Sequence, residues 1–277
     1  MSRLAFAKGH GTQNDFVVIR DRHNMTPLTP QTIARICNRH TGIGADGLIR
    51  AVKAAHIKSW QGNPDLWFMD FWNPDGSLAE MCGNGLRVLA RYLIDEDLVP
   101  QPELSIATRA GLRQVWEQPG GSLRTQMGEA PVGEATWANL GERRFAAQGV
   151  SVGNPHVVVT LPEDASLNEL DLRCAPQVDG QRFPDGANVE FAQLTGPNQL
   201  TMRVYERGAG ETQSCGTGVV AAAAAARHDS QIGDSATVDV PGGRLRVDFD
   251  GDQAYLAGPA VIVAYGELIL PDPRDMA

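Results

Sequence analysis

Two cysteines of this chain stand in the same local setting. Met81-Cys82-Gly83-Asn84-Gly85 and Ser214-Cys215-Gly216-Thr217-Gly218 each place a thiol just ahead of an apolar helical run. The first N–H groups of a helix have no partner inside it, and together with the macrodipole they attract negative charge. That position lowers a thiol's pKa and brings the thiolate within reach of neutral pH. It also offers the amides of Gly83, Asn84, Gly216 and Thr217 to a carboxylate, and the glycines let a ligand approach the backbone. If the two segments face one another, one small anion is held by both helix ends with a thiol on either side. One thiolate then takes a proton from one face of the adjacent carbon, and the other thiol returns a proton to the opposite face. That chemistry is racemisation or epimerisation α to a carboxylate.

Such a carbon acid is very weak, and a pyridoxal Schiff base, which needs a lysine, is the usual remedy. Lys8, Lys53 and Lys58 are the only lysines, and neither cysteine segment contains one. The expectation is therefore a reaction without cofactor, in which helix dipoles and a closed, dry site stabilise the developing charge. The other two cysteines, Cys37 and Cys174, have no motif around them and read as small buried hydrophobes. With no CxxC pair and no histidine at ligand spacing, no metal site is expected.

Composition narrows the class. The 277 residues are 42% hydrophobic and 21% charged, ordinary for a globular chain. A formal charge of -9 and a pI near 5.1 speak against a nucleic-acid partner. The N-terminus carries no long apolar run to act as an export signal, and no run approaches the length of a membrane span. The expected location is the cytoplasm, where thiols stay reduced.

The elements that must position the thiols repeat. FWNPDGSLAEMCGNG at residues 71–85 aligns without a gap to VYERGAGETQSCGTG at residues 204–218, an offset of 133. Asn14–Ile19 echoes Asn154–Val159, and Gly44–Gly47 echoes Pro184–Ala187 more weakly. Two echoes near half the chain length imply two similar halves and not a solenoid. Short alternating or apolar runs bounded by turn residues predict strands at 17–20, 66–71, 104–108, 112–117, 157–161, 189–193, 200–205, 237–240, 245–249, 253–257 and 260–270. Helices are expected at 31–39, led by a Thr29-Pro30 cap, and at 84–95 and 217–228. The last contains Ala221 through Ala226. Six alanines leave no polar face, so the helix is expected inside a cage of strands, although alanine is also the best helix former for a surface helix. The expected fold is α+β: two pseudo-symmetric lobes, each a curved, mostly antiparallel sheet wrapped around a central helix. Residues 1–122 would form the lobe carrying Cys82 and 123–258 the lobe carrying Cys215. Residues 259–277 would return as a final strand to the first lobe.

At these residues the sequence resembles the diaminopimelate epimerase family. Met81–Arg87 and Ser214–Gly218 carry the likeness most strongly. Gly11–Phe16, Arg39–Gly47, Thr108–Gly111, Gly153–His156 and Tyr205–Gly208 are similar as well, so the resemblance runs from about residue 3 to residue 270. It implies a pyridoxal-independent enzyme that interconverts LL- and meso-diaminopimelate for lysine and peptidoglycan synthesis and that forms a homodimer. Cys82 and Cys215 would alternate as thiolate base and thiol acid. Asn14, Asn73, Asn154, Asn188, Glu206 and Arg207 match positions that bind the rest of the substrate, and His156 and Glu206 match positions that tune the thiols. One departure stands out. Many members carry Gln where this chain has Gly47, so that contact is not carried over.

The residue chemistry agrees with such a substrate. Arg207 offers a fork for a distant carboxylate, Glu206 an acceptor for an ammonium, and the asparagines donors and acceptors without charge. Each has a plainer reading: asparagine as a turn residue, His156 as a satisfied structural histidine beside Pro155, and Glu206-Arg207 as a solvated strand end. A proline or hydroxyproline racemase is the nearest rival, but those usually carry His where Asn84 stands and have no distal amino acid group to bind. A thiol redox protein and a non-catalytic amino-acid binder are the rivals from other classes.

Overall fold

The computed structural model describes residues 2–99 and 103–270; the end of the final segment, 271–277, lies outside them. In chain order the elements are the strands Ser2–Gly11 (β1) and Asn14–Arg20 (β2), helix Pro30–Cys37 (α1), strands Gly47–Lys53 (β3) and Trp67–Trp72 (β4), helix Gly83–Asp95 (α2), and strands Glu103–Thr108 (β5) and Gly111–Glu117 (β6). Strands Leu123–Glu129 (β7), Val132–Leu140 (β8), Arg143–Ser151 (β9), Pro155–Leu161 (β10), Gln177–Val178 (β11), Asn188–Gly196 (β12), Gln199–Glu206 (β13) and Gly210–Thr212 (β14) follow. After helix Gly216–His228 (α3) come Ser235–Val240 (β15), Gly243–Asp250 (β16), Gln253–Gly258 (β17) and Val261–Leu270 (β18). The fold is sheet-dominated α+β with mixed strand directions.

The described residues divide into two compact units. One takes those within Met1–Gly11, Asp15–Leu123 and Pro259–Ala277, the other Thr12–Asn14 and Arg124–Gly258. Within the first, β1 pairs antiparallel with β18. Then β2 runs parallel to β3, β3 antiparallel to β4, β4 parallel to β5, and β5 antiparallel to β6. Within the second, β10, β12, β13, β15 and β16 repeat that order of directions. Helices α2 and α3 are both 13 residues long, and their starts at 83 and 216 keep the offset of the sequence echo.

Both helices are sealed from their first residue. In α3, Gly216 through Ala226 are all buried, and the helix packs on β8, β9, β10, β12 and β13 and on β15 to β17. That excludes the surface-helix reading of the alanine run: only a thin helix fits among so many strands. Helix α2 is apolar over most of its length but also buries Asn84 and Arg87. Helix α1 begins as read. The Thr29 side chain accepts from Thr32 N–H at 3.2 Å with Pro30 next in line. It stops at Cys37, two residues short of the expected end, because Asn38 leaves helical geometry. The Asn38 Oδ1 instead accepts from the N–H groups of His40 and Thr41.

Seven strands were not legible from the pattern. β1 and β3 each carry two long cations, Arg3 and Lys8 in β1 and Arg50 and Lys53 in β3, and Arg50 is buried against Asp70 at 2.8 Å. β7 to β9 are rich in polar residues; β7 is held by the distant strand β17, and β8 and β9 by their own hairpin, which turns at Gly141, where φ is +59°. β11 and β14 are two and three residues long. The expectation for Cys174 is corrected: it is exposed while Cys37 is buried, because Leu167, Leu170 and Leu172 take the core positions of that irregular stretch. No described helix is long and apolar enough to cross a membrane.

Ala223 is fully buried in α3. Ala223→Leu is expected to cost about 1–3 kcal/mol through overpacking, read as a lower denaturation midpoint with unchanged slope in urea.

Candidate active site

In the first unit Cys82 is the N-cap of α2, and its Sγ accepts from the Gly85 N–H at 3.5 Å. Gly83 and Asn84 open the helix. Below the first turn lies an apolar floor: a Cβ on Gly85 would stand 2.9 Å from Met69, 3.2 Å from Ile49 and 3.3 Å from Phe16. Arg87, fully buried one turn on, donates to Asn84 Oδ1 at 2.7 Å. Burial brings its guanidinium down to about 10, and its charge and a thiolate at Cys82 favour one another.

The segment leading into Cys82 is held from beneath. Asn73 sits in a turn whose backbone closes on Ser77 at 2.9 Å, and its Nδ2 donates to Ser77 Oγ at 2.9 Å. Arg109 donates to the carbonyls of Phe71 and Ala79 at 3.2 and 3.1 Å and pairs with buried Asp70, which also binds Arg50. Arg109 thus clasps both ends of the turn, a task that its motif at Thr108–Gly111 did not reveal.

In the second unit Cys215 is the N-cap of α3, with Gly216 and Thr217 as the first helical residues and Thr217 Oγ1 3.4 Å from Sγ. Glu206, at the end of β13, hydrogen-bonds Cys215 and accepts from Thr212 Oγ1. Asn188 Oδ1 accepts from the Arg207 N–H at 2.9 Å, and the exposed Arg207 side chain donates to Asp185 O at 3.3 Å. His156 is wholly buried, with Nδ1 2.7 Å from Glu190 Oε1 and Nε2 3.0 Å from Asn154 Oδ1. Thr12 donates to Ser214 Oγ at 2.8 Å, so the segment that ends in Asn14 reaches the residue beside Cys215. Asn14, Asn154, His156, Asn188, Glu206, Arg207 and Cys215 thus belong to the second unit, and Asn73, Cys82, Gly83 and Asn84 to the first. Glu190 escaped the sequence reading. A glutamate between Val189 and Phe191 looks like an outward strand residue, but both faces of β12 are covered there.

For Cys215 the expectation of a lowered pKa is corrected. Burial pushes the thiol well above its ordinary value, and the carboxylates of Glu206 and Glu190 add to the rise. The Thr217 hydroxyl and the Gly218 N–H oppose it more weakly. A helix N-terminus contributes typically about 0.3–1 kcal/mol, whereas full burial shifts a group by up to about 3–5 units at about 1.4 kcal/mol each. Burial wins. The Glu206 carboxyl is itself raised, by burial first, with its bonds to Thr212 and Cys215 acting against. No cluster of three metal-ligating side chains occurs among the described residues.

Gly47 has a steric reason. It opens β3 opposite Phe16, and a Cβ there would lie 2.6 Å from the Phe71 ring and 2.8 Å from the Trp72 carbonyl.

A sheet-dominated α+β chain of two compact units falls into a known class of fold. Solved structures share it: a phenazine biosynthesis protein from Bacillus anthracis aligns with a TM-score of 0.70 at 16% identity, over 98% of this chain and 100% of that one. A hydroxyproline epimerase from Agrobacterium vitis aligns with a TM-score of 0.65 at 15% identity, over 98% of this chain and 94% of the other. The family model for diaminopimelate epimerase matches residues 6–132 and 149–263. This chain is also 44% identical to the diaminopimelate epimerase of Corynebacterium glutamicum, over 96% of this chain and 98% of that protein, and 45% identical to that of Streptomyces coelicolor, over 96% of each. The chain belongs to the diaminopimelate epimerase family.

Two measurements test this geometry. Gly47→Gln should lower stability by about 1–3 kcal/mol, seen as an earlier melting transition. The pH midpoint for modification of Cys215 by a small alkylating reagent, mapped by mass spectrometry, should lie above about 8.5, the ordinary thiol value; a midpoint below it would reverse the electrostatic reading.

Proposed function

We propose that the protein is an epimerase that interconverts LL- and meso-diaminopimelate, with Cys82 and Cys215 as the two proton-transfer groups. The carrying observation is that the chain, a member of this family, has two buried helices each N-capped by cysteine in a Cys-Gly-x-Gly turn. The chemistry needs one sulfur on each face of the α-carbon. A thiolate takes the α-proton, the electron pair spreads toward the carboxylate, and the other thiol delivers its proton to the opposite face, leaving the two sulfurs in exchanged states. In the reverse direction the roles swap.

The reacting carboxylate is assigned to the first amides of both helices, at Gly83, Asn84, Gly216 and Thr217. Asn14, Asn73, Asn154, Asn188 and Arg207 are assigned to the rest of the substrate. Glu206 is half-buried and hydrogen-bonded to Cys215, which favours its tuning role over a purely substrate-binding one. His156 and Glu206 together set the charge around the second thiol. No pyridoxal or metal enters the proposed cycle. The working form is taken to be a cytoplasmic homodimer that supplies lysine and peptidoglycan precursors.

Purified protein should convert LL-diaminopimelate and, in deuterium oxide, place solvent deuterium on the α-carbon. Cys82→Ala and Cys215→Ala should each lower turnover by about a thousandfold or more while melting as the wild type does. Turnover retained in either variant removes the two-base mechanism, and racemisation of L-proline in place of diaminopimelate removes the substrate assignment.

A further inference from the structure

The repeat of strand directions makes the two cysteine centres comparable position by position. Phe16 faces Gly47 at the start of the parallel pair β2–β3, and two residues on Val18 faces Ile49. In the second unit His156 faces Asn188, and two residues on Val158 faces Glu190. Ile49 in turn pairs with Phe71 on β4, and Glu190 with Val204 on β13, the residues aligned by the 133-residue echo. His156 and Glu190 therefore occupy the places of Phe16 and Ile49. The helix above reports the same match. The third helical residue is Gly85 in α2 and Gly218 in α3; a Cβ on Gly85 would meet Ile49 and Phe16, while one on Gly218 would stand 2.5 Å from Glu190 Oε1.

The fold itself therefore asks only for apolar bulk beneath the helix, which the first unit supplies with Phe16 and Ile49. In the second unit the same places hold an imidazole and a carboxylate, both at 0% exposure. Such a pair is expensive to bury, and apolar residues of similar volume often serve stability as well or better. The Oε2 of Glu190 is buried without a hydrogen-bond partner among the described residues, a cost that native structures tolerate only with cause. The carboxylate rests against the first turn of the helix that Cys215 caps. Its other oxygen holds His156 Nδ1, and His156 Nε2 in turn reaches Asn154.

We propose that Glu190 is a positioning residue of the epimerase. Its Oε1 fixes the His156 ring through Nδ1, and its negative charge beneath the first turn of α3 holds Cys215 in the thiol form, so that Cys215 enters the resting cycle as proton donor. The inference rests on the proposed reaction for its functional meaning. The groups that face Cys215 are Glu206 from β13, Glu190 from β12 with His156 of β10 bound to it, and the Thr217 hydroxyl and Gly218 N–H of α3 itself. Both carboxylates oppose ionisation of the sulfur, whereas the corresponding helix of the first unit carries the buried guanidinium of Arg87, which favours a thiolate at Cys82.

The test is Glu190→Gln, which keeps an acceptor for Nδ1–H and removes the charge. The pH midpoint for alkylation of Cys215 should fall by about one unit, the lower end of what a neighbouring charge produces. The alkaline limb of kcat/KM for diaminopimelate should move in the same direction. In Glu190→Ala, which also frees the ring, kcat should fall about a hundredfold, the cost of misplacing a group by about 1 Å, with KM changed much less. An unmoved or raised midpoint in folded Glu190→Gln overturns the proposal. So does a lowered melting temperature with wild-type kcat and pH profile, since that is all a purely structural carboxylate would produce. If Glu190→Gln does not fold, nitrogen-15 NMR of the wild-type protein decides. His156 Nδ1 should carry the N–H that Glu190 Oε1 accepts, and a ring whose Nδ1 bears no hydrogen overturns the proposal. Alkylation and NMR use no substrate. A wild type that turns over diaminopimelate with these readouts unmoved sinks this inference alone, whereas a wild type inactive on diaminopimelate sinks the proposed reaction and leaves them readable.

Discussion

Burying a helix from its very first residue is the constraint on which the rest of this structure depends. Helices α2 and α3 both begin inside their sheets, where the unpaired N–H groups of the first turn have no water to bond. Whatever stands there must be small enough to let the strands close and polar enough to answer those donors. Cysteine followed by glycine meets both conditions. The Cys82 sulfur accepts from Gly85, and the absence of a Cβ at Gly85 and Gly218 lets the floor rise to touch the helix. Burial of the first turn makes the charges near it consequential, because buried charges are screened much less than exposed ones.

The residues beneath the two helices turn similar frameworks into two different electrostatic environments. Beneath α2 the floor is Met69, Ile49 and Phe16, and the nearby charge is the guanidinium of Arg87. Beneath α3 the floor is His156 and Glu190, and Glu206 adds a second carboxylate. A single framework, used twice, gives one sulfur a positive neighbour and the other two negative ones. In water such differences would shrink to about 1 kcal/mol at contact distances, and burial strengthens them.

The scaffolding around the first centre follows the same economy of buried charge. Asp70 is almost fully buried and binds both Arg50 and Arg109. Arg109 uses its remaining donors on the carbonyls at either end of the turn that delivers Cys82. A buried charge with all its partners in place fixes geometry, because moving any member leaves the others unpaired.

Much was legible in the sequence because it lay in local pattern. The two Cys-Gly-x-Gly turns, the helices after them and the short strands are short-range signals: Val157–Leu161 announces a strand by a β-branched apolar run and Leu245–Phe249 by alternation. β3 was not legible, since its charged Arg50 is accommodated by Asp70 on another strand, and the polar residues of β8 and β9 hide a hairpin that pairing of the two strands holds. Ionisation of Cys215 was misread for a related reason. Sequence shows the helix end but not the depth of burial or the carboxylates that tertiary packing brings from β12 and β13. The sequence by itself determined which atoms can do chemistry and how often the framework is used. Only the tertiary structure decided which charges surround each thiol, because field and desolvation depend on distances between residues that the chain keeps far apart.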